Sequence, residues 1–342
     1  MKIKRKIKVL VVDDSLLFRE TLAERIGADP ALEVVGTAAD PYQARDLILE
    51  KEPDVMTLDV ELPRMSGIDF LRKLMPQYPI PVVMVSAVSE SIFDALDAGA
   101  VDFVTKPDSR NGHAIESLVN ELVIKIKIAS TAKVGQWKTN TRPQITDKTS
   151  VDLGKIIAIG ASTGGTEALA GLLKALPKDM PGIVIVQHMP SVFTRMFAER
   201  LNNSCVLEVK EAQSGEVVFP GRVLIAPGDF QMKLKKKPHG YIVECARGEK
   251  VSGHCPSVDV LFNSVAEQAG RNAVGVLLTG MGSDGAQGLL KMRQSGARTI
   301  GQDQETCVVY GMPKVAWEIG AVEKQAPLGQ IPQIIFNLTG KG

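Results

Sequence analysis

A serine in a glycine-rich turn is the first group in this sequence with the makings of a nucleophile. Residues 155–165 read KIIAIGASTGG, so an apolar run ends at Gly160 and Ser162 follows among small residues. Leucines at helical spacing come next, which gives the strand, turn and helix order of the G-x-S-x-G nucleophile pattern. Two simpler interpretations compete: the turn merely joins a strand to a helix, or its N–H groups bind a phosphate. Short motifs match by chance, so the turn alone favours these simpler interpretations.

A histidine and an aspartate follow two other apolar runs in the same half of the chain. His188 comes directly after residues 183–187, and Asp284 follows residues 273–279 within a few positions. The carboxyl ends of parallel strands meet at one edge of a sheet, so we expect Ser162, His188 and Asp284 on one rim. A neutral imidazole that takes a serine proton, oriented by a buried carboxylate, performs acyl transfer.

These residues also have structural interpretations. An isolated histidine after a strand often serves only packing, and an aspartate before a glycine is typical of a turn or a helix cap. The chain has four histidines, and His254, in a loop before a helix, is the main alternative base. Its position directly after a strand favours His188 as the base, but His254 remains an alternative that could line the same cleft. The backbone N–H groups of Met281 and Gly282 are the candidate donors to an oxyanion.

The first third of the chain alternates short apolar strands with amphipathic helices, which predicts a parallel, doubly wound sheet. Acidic, hydroxyl and basic side chains stand at the ends of its strands, where such folds bind ligands. Converging carboxylates repel one another unless a cation joins them, and their oxygens suit Mg²⁺, with a lysine nearby to pair with a phosphoryl group. One or two of these residues could be ordinary caps, but the coincidence of five favours a site. They are Asp13, Asp14, Asp59, Ser86 and Lys106.

On these residues, positions 7–128 resemble the receiver domain of bacterial two-component response regulators. The resemblance implies a flavodoxin-like fold in which Asp59 accepts a phosphoryl group from a histidine kinase. It also implies that Asp13, Asp14 and Asp59 hold Mg²⁺. The supporting residues that it assigns, as hydroxyl, lysine and switch aromatic, are Ser86, Lys106 and Phe103.

Hydrophobic periodicity stops between the two halves of the chain. Residues 129–152 are polar and threonine-rich, as in an exposed connector, with Trp137 as an exception of unassigned role. We therefore predict a receiver over residues 1–128, this linker, and a catalytic domain over residues 153–342. The second domain is expected to be another mainly parallel, doubly wound α/β fold with an added β-hairpin and with residues 299–302 as its last strand.

Composition narrows the class of protein. Of the 342 residues, 44% are hydrophobic and 23% are charged, as in ordinary soluble globular proteins. A net charge of +1 gives no general attraction to nucleic acid or to acidic membranes. No apolar run approaches the roughly 20 residues that span a bilayer. The four scattered cysteines lack metal-ligand spacing and are expected to be reduced thiols of a cytoplasmic protein.

Six motifs of the second half look like the catalytic domain of the bacterial chemotaxis protein-glutamate methylesterases. They are GASTGG at 160–165, QHMP at 187–190, IAPG at 225–228, PSVD at 256–259, LTGMGSDG at 278–285 and YGMP at 310–313. The resemblance implies that Ser162 is the nucleophile, His188 the base and Asp284 the acid that orients it. It assigns an oxyanion donor to Met281 and a supporting role to Thr163.

Together the resemblances imply a phosphorylation-activated esterase that hydrolyses glutamate methyl esters on chemoreceptor helices, releases methanol, and deamidates receptor glutamines. They imply no cofactor in the esterase site, a chemotaxis histidine kinase as phosphodonor, and a cytoplasmic monomer that neither enters the membrane nor binds nucleic acid. We hypothesise that the unphosphorylated receiver restricts access to Ser162 and that phosphorylation of Asp59 favours an open form.

Two other functions fit parts of the pattern. A response regulator with a DNA-binding output fits the first half, but the second half has no clear basic recognition helix. A module that holds a phosphate fits the turn at Ser162, but Thr166 and Glu167 follow Gly165, without the G-K-[ST] ending of a P-loop.

Overall fold

The structure, a computed structural model, describes residues 5–87, 91–107, 112–135 and 151–340. The chain divides into two compact units, Met1–Thr139 and Asn140–Gly342, each with a parallel sheet of its own. Trp137 lies outside the described residues, as does most of the predicted linker, so the boundaries of that linker stay a prediction. Across the described ranges, no helix has both the length and the apolar character needed to cross a membrane.

The described part of the first unit alternates strands with helices. The strands are β1 (Ile7–Val12), β2 (Leu32–Ala38), β3 (Val55–Asp59), β4 (Val82–Ser86) and β5 (Asp102–Thr105). The helices are α1 (Leu16–Gly27), α2 (Pro41–Lys51), α3 (Gly67–Leu74), α4 (Ile92–Asp97) and α5 (Gly112–Ala129). The strands pair in parallel in the order β2-β1-β3-β4-β5, which confirms the doubly wound sheet.

Local sequence explains where these elements begin. Strands β3 and β4 are buried along their whole length, as expected of central strands covered on both faces. Asp40 caps α2 by accepting from the N–H groups of Tyr42 and Gln43. Pro41 fills the first turn of that helix, where its missing N–H would have had no partner. The carboxyl ends of β1, β3, β4 and β5 then form one edge of the sheet, where the predicted acidic site belongs.

The second unit carries two sheets. Its strands are β6 (Ile156–Ala161), β7 (Gly182–Gln187), β8 (Glu208–Glu211), β9 (Val217–Val218), β10 (Arg222–Ile225), β11 (Phe230–Lys237), β12 (Gly240–Arg247), β13 (Ala273–Leu277), β14 (Arg298–Gln302) and β15 (Lys324–Ala326). Its α-helices are α6 (Gly165–Ala175), α7 (Ser191–Ser204), α8 (Val258–Gln268), α9 (Ala286–Gln294), α10 (Met312–Glu318) and α11 (Ile331–Thr339). Seven strands form a parallel sheet in the order β15-β14-β13-β6-β7-β10-β8, and β11-β12-β9 form a small antiparallel sheet.

The predicted α/β fold with an added hairpin is confirmed, with one error at its edge. Strands β11 and β12 pair from Phe230↔Arg247 to Lys237↔Gly240, and β9 extends the hairpin to three strands. The prediction that residues 299–302 form the last strand is wrong, because β15 pairs in parallel with β14. Strand β15 has three residues, of which Ala326 alone is buried, so it has too little alternation to be recognised.

Helix α8 anchors the core of the second unit beside the central strands. Its apolar residues recur at helical spacing and are fully buried, with Val258, Leu261, Phe262 and Val265 in the core cluster. Ser257 caps this helix by accepting from the N–H of Val260. The buried face fixes the start of α8 close to the loop that follows β13.

Candidate active site

Ser162 is held in a tight turn between β6 and α6. The chain reverses at Gly164, whose φ of 76° is a left-handed conformation that favours glycine. The N–H of Gly165 donates to the Ser162 carbonyl at 2.7 Å. Gly280 lies against the serine, since a Cβ there would come within 2.6 Å of the Ser162 Cβ. The serine therefore leaves a central strand with the loop after β13 packed beside it.

Strand register brings His188 next to Ser162. Ala161 at the end of β6 pairs with Gln187 at the end of β7, so Ser162 and His188 leave adjacent strands at the same level. The N–H of His188 donates to the Ala161 carbonyl at 3.2 Å. The side-chain amide of Gln187 donates to the Ser162 carbonyl at 3.0 Å, which ties the two strand ends together.

Asp284 follows β13, which pairs with β6 on its other side, and contacts His188 directly. Its Oδ2 lies 2.8 Å from the His188 Nε2, and the two side chains are 1% and 6% exposed. The carboxylate also accepts from the Ser257 hydroxyl at 2.8 Å and from the N–H groups of Val258 and Asp259 at 2.7 and 3.1 Å. The three predicted residues thus meet at one rim, and the start of α8 supports the acid.

Hydrogen bonding keeps the Asp284 carboxylate charged despite its burial. Burial by itself raises the pKa of Asp284, but the hydrogen bond and charge of His188, with the donors of Ser257 and Val258, outweigh it and leave the pKa lowered. Burial instead raises the pKa of the neighbouring Asp259, and the charge of Asp284 adds to that rise. The pKa values of these two adjacent carboxyl groups are therefore shifted in opposite directions, and the charged form is favoured at Asp284.

The bond to this anion determines which His188 nitrogen can act as a base. A carboxylate only accepts hydrogen bonds, so the Nε2 atom that faces it carries the proton. The other nitrogen, Nδ1, is therefore unprotonated in the neutral ring. It is buried and has no hydrogen-bond partner among the residues described, so the structure contains no Ser162–His188 hydrogen bond. Catalytic hydrogen bonds are often long without substrate, and Nδ1 has the lone pair that a serine proton needs.

His254, the alternative base, lies on the face of His188. The ring centroids are 3.6 Å apart and the planes differ by 8°, so the two imidazoles are stacked. Burial lowers the pKa of His254 to about 4, with a further lowering from His188 and Lys250 and an opposing effect of Asp284. The two candidate bases thus lie in one site, and Asp284 bonds to His188, the one that sequence position favoured.

The predicted oxyanion residues stand around the same turn. The Met281 side chain is 45% exposed, next to the Gly280 that packs on the serine. Thr163 is buried, and its carbonyl accepts from the Thr279 hydroxyl at 3.0 Å. Thr279 is also bonded to the N–H of Val309 at 3.0 Å, so the loop after β13 and the nucleophile turn are held as one structure.

The acidic cluster of the first unit assembles as the sequence suggests. Oxygen atoms of Asp13, Asp14 and Asp59 lie within 4.8 Å of one another, with Asp13 and Asp59 buried and Asp14 exposed. The Lys106 Nζ lies 2.7 Å from Asp13 Oδ2 and 2.5 Å from Asp59 Oδ2. Carboxylate oxygens at this spacing, open to solvent through Asp14, fit Mg²⁺, which prefers oxygen ligands and keeps some of its water.

Burial and charge shape this pocket. Burial raises the pKa of Asp59 to about 6, against the hydrogen bond and charge of Lys106. Burial lowers the pKa of Lys106, but its bonds to Asp13 and Asp59 outweigh that effect and leave the pKa raised. Ser86 is buried at the end of β4, and its carbonyl accepts from the Lys106 N–H at 2.9 Å. Phe103 is buried in β5, and the Lys125 Nζ lies 5.0 Å from the centre of its ring.

Three residues make contacts in the active site that were not predicted from sequence. Ser257 was recognisable only as part of a motif, although a serine directly before a helical run is a capping signal. Gln187 directly precedes His188, and nothing in the sequence indicates that its amide turns back to Ser162. His254 was identified as a rival base, whereas its stacking on His188 depends on a loop that sequence does not position.

Comparisons with known proteins agree with this geometry. Residues 157–335 match the family model described as CheB methylesterase, and residues 9–115 match the response regulator receiver domain. A protein-glutamate methylesterase/protein-glutamine glutaminase of Syntrophomonas wolfei is 64% identical over 98% of both chains, and one of Syntrophotalea carbinolica is 53% identical over 98% of both. The crystal structure of the Thermotoga maritima CheB methylesterase catalytic domain aligns with a TM-score of 0.53 and 42% identity, covering 54% of this chain and 98% of that one.

Proposed function

The chain belongs to the CheB methylesterase family, and we propose from this membership that it hydrolyses glutamate methyl esters on bacterial chemoreceptors. Methanol is the second product. The same acyl chemistry removes ammonia from receptor glutamines, because an amide and an ester differ only in the leaving group. Both reactions on the receptors serve adaptation in chemotaxis. The receiver domain makes the enzyme's activity depend on phosphorylation.

Ser162, His188 and Asp284 carry the reaction. Ser162 Oγ bonds to the ester carbonyl carbon while its proton moves to Nδ1 of His188. The bond from that carbon to the methoxy oxygen then breaks, and the proton on Nδ1 passes to the oxygen, so methanol leaves and an acyl-serine remains. Water repeats both steps: it gives a proton to Nδ1, bonds to the acyl carbon and releases Ser162, which recovers the proton.

Asp284 and the Met281 N–H stabilise the charges that form on His188 and on the substrate oxygen during these steps. While Nδ1 holds the serine proton, His188 is an imidazolium. Asp284 lies 2.8 Å from its Nε2, and because the pKa of Asp284 is lowered, this group is a negatively charged carboxylate that stabilises the cation. The Met281 N–H donates to the oxyanion of the tetrahedral intermediate, and removal of such a donor typically costs about 3–4 kcal/mol. Thr163 supports the turn that holds the nucleophile.

The receiver controls this activity through Asp59. A chemotaxis histidine kinase supplies the phosphoryl group, whose bond to the kinase's histidine breaks as its bond to a carboxylate oxygen of Asp59 forms. Asp13, Asp14 and Asp59 would hold Mg²⁺, which when bound would neutralise negative charge during phosphoryl transfer. Ser86 and Lys106 bond to the phosphoryl group, and Phe103 takes part in the change of conformation. The enzyme acts in the cytoplasm as a monomer, where the receptor helices are accessible to it.

One observation supports this function most strongly: the His188–Asp284 bond beside the turn that bears Ser162. The experiment is methanol release from a methylated receptor fragment by wild type, Ser162→Ala and Ser295→Ala, whose serine is exposed at the end of α9. We expect Ser162→Ala to lose at least about a thousandfold in kcat and Ser295→Ala to match wild type. Undiminished release by Ser162→Ala would refute the assignment.

A further inference from the structure

We infer that His254 is a positioning residue of the esterase site, whose ring lies face to face on His188 and holds the base in the plane that directs Nδ1 to the serine. The centroids are 3.6 Å apart and the planes are 8° from parallel. The inference rests on the proposed function, because it describes how the base of that reaction is held.

The Asp284 bond alone does not fix the imidazole. A hydrogen bond at Nε2 holds one edge of the His188 ring, but the ring can still tilt about the line through that edge and the side-chain stem. Such a tilt moves Nδ1, which has no hydrogen-bond partner of its own in the described chain. A flat group against the ring face opposes the tilt, and His254 is that group. A misplacement of about 1 Å can lower a catalytic rate by about a hundredfold.

The loop that carries His254 is itself well held. The His254 N–H donates to the Val251 carbonyl at 2.9 Å, and the His254 carbonyl accepts from the N–H of Val251 at 3.0 Å and from the Gln231 amide at 3.3 Å. The Gln231 Oε1 accepts from the N–H of Ser257 at 2.9 Å, and the Ser257 hydroxyl donates to Asp284. One loop therefore contacts the base through a ring face and its orienting acid through a hydroxyl.

Charge is compatible with this role. Burial, His188 and Lys250 lower the pKa of His254 to about 4, while Asp284 opposes them, so the ring is neutral near pH 7. When His188 takes the serine proton, it faces a neutral ring and not a second cation. Among the described residues Asp284 bonds to His188 and not to His254, which separates the base from its support.

The experiment compares His254→Phe with His254→Leu in the full chain. Both side chains fill the site, but only phenylalanine keeps a flat face against His188. We expect the leucine variant to lose about tenfold or more in kcat with KM within about twofold of wild type, because the misplacement affects the chemical step. The phenylalanine variant is expected to stay within about threefold of wild type. Equal kcat values for the two variants would overturn the inference.

A second measurement does not depend on turnover. In histidine-labelled protein, NMR detects the proton on His188 Nε2, which the bond to Asp284 shields from exchange. We expect its exchange with water to be faster in His254→Leu than in wild type or His254→Phe, and identical exchange in all three would contradict the inference. His239→Ala, in the exposed hairpin turn, is the matched control and should equal wild type. If Ser162→Ala stays active, the proposed function fails; if it is inactive while His254→Leu equals wild type, only this inference fails.

Discussion

The Nε2 atom of His188 lies 2.8 Å from Oδ2 of Asp284, and the carboxylate that makes this bond sits at the N-terminus of helix α8. The Ser257 hydroxyl and two backbone N–H groups donate to the same carboxylate, so its orientation and its negative charge are both fixed. The start of a helix thereby determines which nitrogen of the base carries the proton.

Asp284→Asn tests this relationship. The asparagine amide offers a donor where the Nε2–H of His188 needs an acceptor. The neutral ring then favours the other tautomer, with its proton on Nδ1, while the packing is kept. We expect kcat for methanol release to fall by about 10⁴-fold, with little change in KM. Asp179→Asn, at an exposed position, serves as the control and should equal wild type. A loss in Asp284→Asn of less than about tenfold would show that the carboxylate does not orient the base.

Gly280→Ala tests the close approach of the loop after β13 to the nucleophile. The new Cβ would lie 2.6 Å from the Ser162 Cβ and 2.4 Å from the Met312 Sδ, so the turn must shift. We expect kcat to fall by about a hundredfold. Gly171→Ala is the matched control, because a Cβ at Gly171 in α6 meets no atom within 4 Å. It should keep full activity and, as an alanine in a helix, gain about 0.5–1 kcal/mol in stability. Equal activity of the two variants would contradict the predicted packing.

The low pKa of His254 predicts how stability depends on pH. The unfolded chain protonates this ring near a pKa of about 6.5, whereas the folded chain does so at about 4. Between these values the unfolded state binds more protons, so the free energy of unfolding falls as the pH is lowered. Urea denaturation across this range should show a smaller fall for His254→Phe. His188, Asp284 and Lys250 are present in both proteins, so parallel curves would mean that His254 is not buried as a neutral ring.

Asp59→Asn tests the link between the two domains. A small phosphodonor such as acetyl phosphate should raise kcat for methanol release in wild type only when Mg²⁺ is present. The variant should show the unstimulated rate with or without the phosphodonor. Asp46→Asn, an exposed residue of α2, should respond as wild type does. Stimulation of Asp59→Asn equal to that of wild type would place the phosphoryl group elsewhere.

Residues at the ends of strands were the part of the site that sequence predicts well. Ser162, His188 and Asp284 each follow an apolar run, and parallel register alone brings such positions to one rim. The same reasoning predicted that Asp13 and Asp59 lie close together in the first unit, as they do. It works because buried parallel strands read as continuous apolar runs, which are easy to recognise.

Contacts made by loops could not be predicted from the sequence. Which nitrogen of His188 faces Asp284 depends on helix α8, and the stack on His254 depends on a loop fixed by Gln231. Short edge strands were not predicted for another reason. Strand β15 has three residues and β8 buries only Val209, so neither shows the alternation of apolar and polar residues that marks a strand. Tertiary contacts, not local preference, position these segments.

The central claim is that Ser162 forms a covalent bond to the receptor glutamyl group, and rapid-quench mass spectrometry tests it directly. Wild-type enzyme is mixed with a methylated receptor peptide and stopped within a single turnover. We predict an adduct on the proteolytic fragment that contains Ser162, heavier by the mass of the peptide less methanol. The Ser162→Ala protein should show neither the adduct nor methanol. Methanol release in wild type with an adduct on another residue, or release by Ser162→Ala at the wild-type rate, would contradict the account.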